Sequence, residues 1–164
     1  MRVFIGWSGE QSKEIASVMK QWLPKVIQQI SDPWMSEHDV PAGSEWFKQI
    51  AAALSETRFG IFCLTPDALE SKWIHFEAGV VWRTLETSRV GTYLFNLEPT
   101  DLKGPLSVFQ GSRVNKLDTL KLLRSLNSAL PEKTLTDDVL ESTFEKWWPD
   151  LEEKLSSSHP ETRN

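Results

Sequence analysis

A chain of 164 residues, 40% hydrophobic and 25% charged, has the composition of a folded domain and is long enough to bury a proper core. Eighteen Lys and Arg against 23 Asp and Glu leave a net charge of −5 with no basic block, so nothing in the charge calls for a nucleic-acid partner. No apolar run approaches the roughly 18 residues needed to cross a bilayer, and no signal peptide precedes the first apolar segment. No membrane role is therefore expected. The single cysteine, Cys63, lies in an apolar run, which points to a buried reduced thiol and a cytoplasmic setting.

The first segment, "RVFIG" (2–6), is short and β-rich and runs into Ser8-Gly9, as a buried first strand would. Ile15, Met19, Trp22, Val26 and Ile30 then recur at helical spacing, predicting a helix over about 10–30 that Pro24 kinks without ending. "PWMS" (33–36) reads as a short second strand, and "EHDVPAGS" (37–44) as a surface loop ending on Ser44, an N-cap residue. An amphipathic helix follows through Phe47, Ile50 and Leu54. "RFGIFCLT" (58–65) is apolar almost throughout, the pattern of a central strand covered on both faces. Thr65-Pro66-Asp67 caps and starts a helix, and Ser71 restarts it to about Leu85. "VGTYLFNL" (90–97) is a fourth strand, while the irregular stretch 98–114 has room for a short fifth. Two helices, 117–130 and 136–155, close the domain.

Strand–helix alternation from the first residue predicts a flavodoxin-like, doubly wound, mostly parallel sheet of four or five strands with helices on both faces. The expected organisation is a single domain, 1–155, and a flexible tail, 156–164. Ligands of such sheets sit outside the carboxyl ends of the strands. That edge gathers Trp7-Ser8-Gly9, the 37–44 loop and the stretch from Thr65 to Glu77.

Within "SKWIHFEAG" (71–79), Ile74, Ala78, Val81 and Leu85 make one apolar stripe facing the sheet. Trp73, Glu77, Val80 and Thr84 fall on its shoulder, about 60–120° away. Glu77 is expected outside the core proper but short of the solvent pole, with Trp73 one turn before it. Two readings stand on that geometry. Either Glu77 is a half-exposed surface glutamate, or it is a carboxylate beside an aromatic wall in a cleft, where carboxylates do chemistry. His75 is expected at the surface on the opposite flank. His38, His75 and His159 have no metal-ligand spacing, so no metal is expected, and neither a dinucleotide fingerprint nor a P-loop occurs. Trp46 reads as core, with pocket wall the alternative; Trp147 and Trp148 read as packing residues, with an exposed interface tryptophan the alternative.

Four blocks in order, "VFIGWSG", "WMSEHDVPAGSEW", "GIFCLTPDALESKWIHFEAGVVWR" and "LKGPLSVFQ", resemble a bacterial Toll/interleukin-1 receptor (TIR) domain. The resemblance is to the branch whose central signature ends in W-[IL]-x-F-E-A-G, and it runs to about residue 130. It implies cleavage of the nicotinamide–ribose bond of NAD⁺, with NAD⁺ as substrate and no separate cofactor. Glu77 matches the family's catalytic glutamate and Trp73 the aromatic residue bordering the nicotinamide. Gly6, Trp7 and Ser8 match part of the nucleotide-binding wall. The loop that gates the pocket and mediates self-association maps to 37–44, with Asp39 and Gly43 its most family-like positions, and Trp46 follows it as a further wall candidate. The Arg or Lys often found after the first strand is absent here, where Ser8-Gly9-Glu10 stands instead, which leaves the phosphate contacts unassigned.

Further implications are ADP-ribose or a cyclic ADP-ribose-type signal as product, and a role in bacterial anti-phage defence. A separate effector protein would answer that signal, an expectation favoured modestly by the lack of an appended sensor or effector. Two alternatives remain at this level. One is a non-catalytic self-association adaptor, and the other a nucleoside deoxyribosyltransferase-like N-glycosidase on a similar sheet.

Overall fold

Five strands, β1 (Arg2–Gly6), β2 (Trp34–Met35), β3 (Thr57–Leu64), β4 (Val90–Leu94) and β5 (Gln110–Arg113), form one sheet in the order β2-β1-β3-β4-β5. Every neighbouring pair is parallel. Among the described residues the helices that accompany them are α1 (Glu10–Val26), α2 (Pro66–Leu69), α3 (Lys72–Thr84), α4 (Lys116–Ala129) and α5 (Asp137–Ser158), with 3-10 turns at Pro99–Asp101 and Gly104–Val108. This computed structural model describes residues 2–35, 48, 52–53, 57–84, 89–130 and 135–158. The strand order is that of a flavodoxin-like sheet, in which the chain reverses its winding between β1 and β3.

Strand alternation sorts the side chains into two cores. Val3, Ile5, Phe59, Ile61, Cys63 and Tyr93 point to one face, where α1, α4 and α5 cover them. Phe4, Phe62, Leu64, Val90 and Leu94 point to the other, against Ala68 of α2, Ile74, Ala78 and Val81 of α3, and Leu102 and Leu106. β3 is buried at every position but Arg58, as a strand sandwiched between two helical layers should be. β5 is the opposite case, an edge strand with Ser112 its one buried residue, so it carries no apolar run.

Several element ends differ from the sequence reading. α1 stops at Val26, two residues after Pro24, rather than continuing to 30; Pro24 lacks the N–H the helix ladder needs. Ile27 and Ile30 still reach the core, from the turn that follows. α5 runs to Ser158, so 156–158 are helical where a flexible tail was expected to begin. Of the helix expected after residue 44, positions 48, 52 and 53 are helical, and the remainder lies outside the described residues.

Cys63 is wholly buried, and burial pushes its thiol well above the ordinary range, disfavouring the reactive thiolate. A thiol reagent should therefore leave the native protein unmodified and label Cys63 only on unfolding. A disulfide-exchange chromophore added with and without denaturant checks this.

Gly6 is fixed by close packing. A Cβ there would stand 2.4 Å from the Phe62 ring, and that ring is fully buried with nowhere to retreat. Gly6→Ala should lower stability by about 1–3 kcal/mol, the range for overpacking a dense core. Chemical denaturation would register it as a lower midpoint at unchanged slope.

Candidate active site

The carboxyl ends of β1 and β3 meet where the winding reverses, and hydrogen bonds join the segments that leave them. After β1, Gly9 takes φ 88° and ψ 162°, a conformation open to glycine, and so turns the chain from strand into α1. The turn sets the Ser8 N–H on the Ser12 hydroxyl at 3.1 Å, and that hydroxyl donates to the Cys63 carbonyl of β3 at 2.6 Å. The Ser8 hydroxyl in turn donates to Ser71 Oγ at 2.6 Å.

On the β3 side, Thr65 caps α2, its hydroxyl oxygen accepting from the Ala68 N–H at 3.2 Å, with Pro66 at the first helical position. α2 ends after one turn. Ser71 Oγ then accepts from the Ile74 N–H at 3.4 Å at the start of α3. His75 Nε2 lies 2.8 Å from the Leu69 carbonyl, one of those that a helix end leaves without an intrahelical donor. His75 is thus half-buried and tied to α2, where the helical wheel had it at the surface.

Glu77 is completely buried, at 0% exposure. The shoulder position expected from the wheel is corrected on this point. A wheel drawn against the sheet alone takes no account of the other elements that pack on α3, among them α2 and the Gly104–Val108 turn. The helix and the sheet beneath it carry apolar and aromatic residues. Ile74, Ala78 and Val81 lie on the same helix, over a sheet face carrying Phe4 and Phe62 with ring centroids 5.8 Å apart. Trp34 stands 5.3 Å from Phe4, and half-buried Trp73 stands 6.2 Å from Phe76. A carboxyl group held so far from water carries a desolvation penalty of several kcal/mol if ionised.

The TIR domain family profile matches residues 3–127. The chain belongs to the TIR domain family. No curated protein matches it. Among solved structures, this TIR domain is similar to the TIR domains of the activated Roq1 resistosome that directly recognizes the pathogen effector XopQ. The match has 14% identity and a TM-score of 0.47, covering 92% of this chain and 98% of the other.

The TIR domain brings some of the expected site residues together and separates others. Gly6, Ser8 and the helix bearing Trp73 and Glu77 converge at the β1–β3 edge. Trp7 goes elsewhere. At 7% exposure it belongs to the core under α1, on the sheet face away from α3, with Lys13 Nζ 5.1 Å from its ring centroid. Asp39, Gly43 and Trp46 lie outside the described residues. Sequence reasoning passed over Ser12 and Trp34 as neighbours of the site. The i, i+4 spacing of Ser8 and Ser12 at a helix start was a usable signal for the first; an aromatic residue from another strand leaves none.

A cavity of about 610 Å³ opens at the carboxyl ends of β4 and β5, between Leu94–Glu98 and Trp148 and Leu155 of α5. It contains none of the expected site residues. Its two lining cations are already engaged, Arg113 with Glu98 at 2.5 Å and Lys116 with Glu145 at 2.7 Å. Residue chemistry therefore favours the Glu77 corner as the site. Among the described residues no cluster of His, Cys, Asp and Glu could hold a metal, and no helix is long and apolar enough to cross a membrane.

Proposed function

We propose that this TIR domain cleaves the bond between nicotinamide and ribose in NAD⁺, with Glu77 as the catalytic carboxylate. The observation that carries the proposal is the complete burial of Glu77, one turn beyond Trp73, on the helix that begins at the switch point of the sheet. Ordinary glycosidases use two carboxyls, one to protonate the leaving oxygen and one to support the sugar cation. Nicotinamide in NAD⁺ already carries the positive charge. When the C1′–N bond breaks, the electron pair returns to the ring nitrogen and nicotinamide leaves neutral, so the acid is dispensable.

What remains is positive charge growing on the ribose. An anion about 4 Å away is worth roughly 1 kcal/mol in bulk water but on the order of 4 kcal/mol at an effective dielectric near 20. The second figure corresponds to about a thousandfold in rate, which is why the carboxylate belongs in a dry place. Trp73 shields the cation from water and offers the departing ring a face. Gly6 and Ser8 lie in the turn beside the nucleotide, with the Trp7 side chain turned into the α1 core, and the 37–44 loop, with Asp39 and Gly43, gates the pocket and mediates self-association, with Trp46 following it. Water attacking C1′ gives ADP-ribose and a proton. A ring nitrogen of the substrate's own adenine gives a cyclic ADP-ribose and a proton. Such a signal, read by a separate effector in bacterial anti-phage defence, is the biological role that fits a catalytic domain of this kind.

The test is product analysis by liquid chromatography and mass spectrometry after concentrated protein meets NAD⁺ and, separately, a panel of nucleosides. Nicotinamide release from NAD⁺ with nucleosides untouched is expected. The companion product names the acceptor, since a cyclic product is lighter than ADP-ribose by one water. Base exchange among nucleosides with NAD⁺ intact would instead indicate a deoxyribosyltransferase-like enzyme.

A further inference from the structure

The hydroxyl bond between Ser8 and Ser71 spans 63 residues of sequence and connects the turn after β1 to the first turn of the Glu77 helix. We propose that Ser8 and Ser71 are positioning residues, a latch that holds α3, and through it the Glu77 carboxylate, in register with the turn that forms one wall of the site.

The latch is anchored at both ends. On the β1 side the Ser8 N–H is held by Ser12, itself fully buried, and Ser12 donates to the Cys63 carbonyl in the centre of the sheet. Ser8 is thereby fixed to α1 and β3 before its side chain reaches α3. On the other side Ser71 Oγ accepts twice, from the Ser8 hydroxyl and from the Ile74 N–H, so a single oxygen both starts α3 and ties it to β1. His75 bonded to the Leu69 carbonyl restrains the same turn from its other flank. Six residues separate Ser71 from Glu77, about 9 Å along the helix axis. A tilt or slip at the latched end is therefore carried to the carboxylate. Misplacement of a reacting group by about 1 Å can lower a rate by about 100-fold.

Ser8→Ala is the clean variant, because it removes the latch and leaves Ser71 free to cap Ile74. The kinetic readout rests on the NAD⁺-cleavage reading; amide hydrogen exchange across residues 74–78 does not. In Ser8→Ala, kcat for nicotinamide release should fall about 10- to 100-fold and the 74–78 amides should exchange faster. Ser8→Thr, which keeps the hydroxyl, should restore both. Ser71→Ala, at a residue outside the nucleotide wall, should show the same fall in kcat with KM within twofold of wild type. Ser8→Ala combined with Ser71→Ala should lose little more kcat than the more severe single variant, since the two groups make one bond. Wild-type kcat in Ser8→Ala would overturn the proposal, and so would unchanged exchange. If wild type releases no nicotinamide, the enzymatic reading fails by itself, and the exchange comparison alone then supports or overturns the latch.

Discussion

Glu77→Gln should lower kcat for nicotinamide release by about 10²–10³-fold while the protein stays folded. The substitution keeps the shape of the side chain and removes its charge. The loss is therefore that of the electrostatic support given to the ribose cation, which lies in the range measured for removing one preorganised stabilising group. KM should change little, because the charge acts on a cation that exists fully only in the transition state. Glu77→Asp retains the anion but withdraws it by one methylene, so a loss of about 100-fold is expected from geometry alone. Steady-state kinetics of the three proteins, with a denaturation curve for each, separate these effects from simple unfolding. A Glu77→Gln protein as active as wild type would return Glu77 to an ordinary buried polar residue.

The second large effect concerns stability. Among the described residues Trp22 is the largest wholly buried side chain, and it docks α1 onto α5. Its indole meets Phe144 edge-on at 6.2 Å and 83°, and its N–H donates to the Trp147 carbonyl at 2.9 Å. Trp22→Ala should cost about 3–5 kcal/mol, the range for deleting a large core aromatic. Against a typical total of about 5–15 kcal/mol, that leaves a marginal protein. Trp22→Phe should retain most of the packing and lose the hydrogen bond, a further difference of about 1 kcal/mol. Urea denaturation would rank wild type, Phe and Ala in that order; equal midpoints for Phe and Ala would show that the ring contributes nothing to the docking. The consequence extends beyond stability, because α1 also carries Ser12, the anchor of the Ser8 turn.

The sheet was legible wherever burial on both faces writes an apolar run. β1, β3 and β4 fall close to where periodicity put them, and the Thr65-Pro66 helix start is realised by the expected cap. β5 was harder, because an edge strand with one buried residue has no such signature. The location of Glu77, on a helix leaving the ligand edge, could also be read from spacing. Its complete burial could not, since a helical wheel contains no information about elements that pack on α3 from outside the local sequence, such as the Gly104–Val108 turn. The same limit applies to Trp7. Its position directly after β1 suggested a pocket wall, yet one step of strand alternation sends the side chain to the α1 core. Trp147 and Trp148 were expected to pack, and both do, Trp148 against Phe144 and Trp147 beneath Lys25 and Lys146. Their partner Trp22 lies more than a hundred residues away, beyond any local pattern.

The central claim is that Glu77 is buried for the sake of chemistry on NAD⁺. Nicotinamide release by concentrated wild-type protein, run beside Glu77→Gln, tests it most directly. Nicotinamide equal in amount to the NAD⁺ consumed is expected from wild type, and a rate about 10²–10³-fold lower from the variant. NAD⁺ left intact by wild-type protein that has demonstrably self-associated would contradict it, and would make this TIR domain an adaptor whose buried glutamate serves the fold alone.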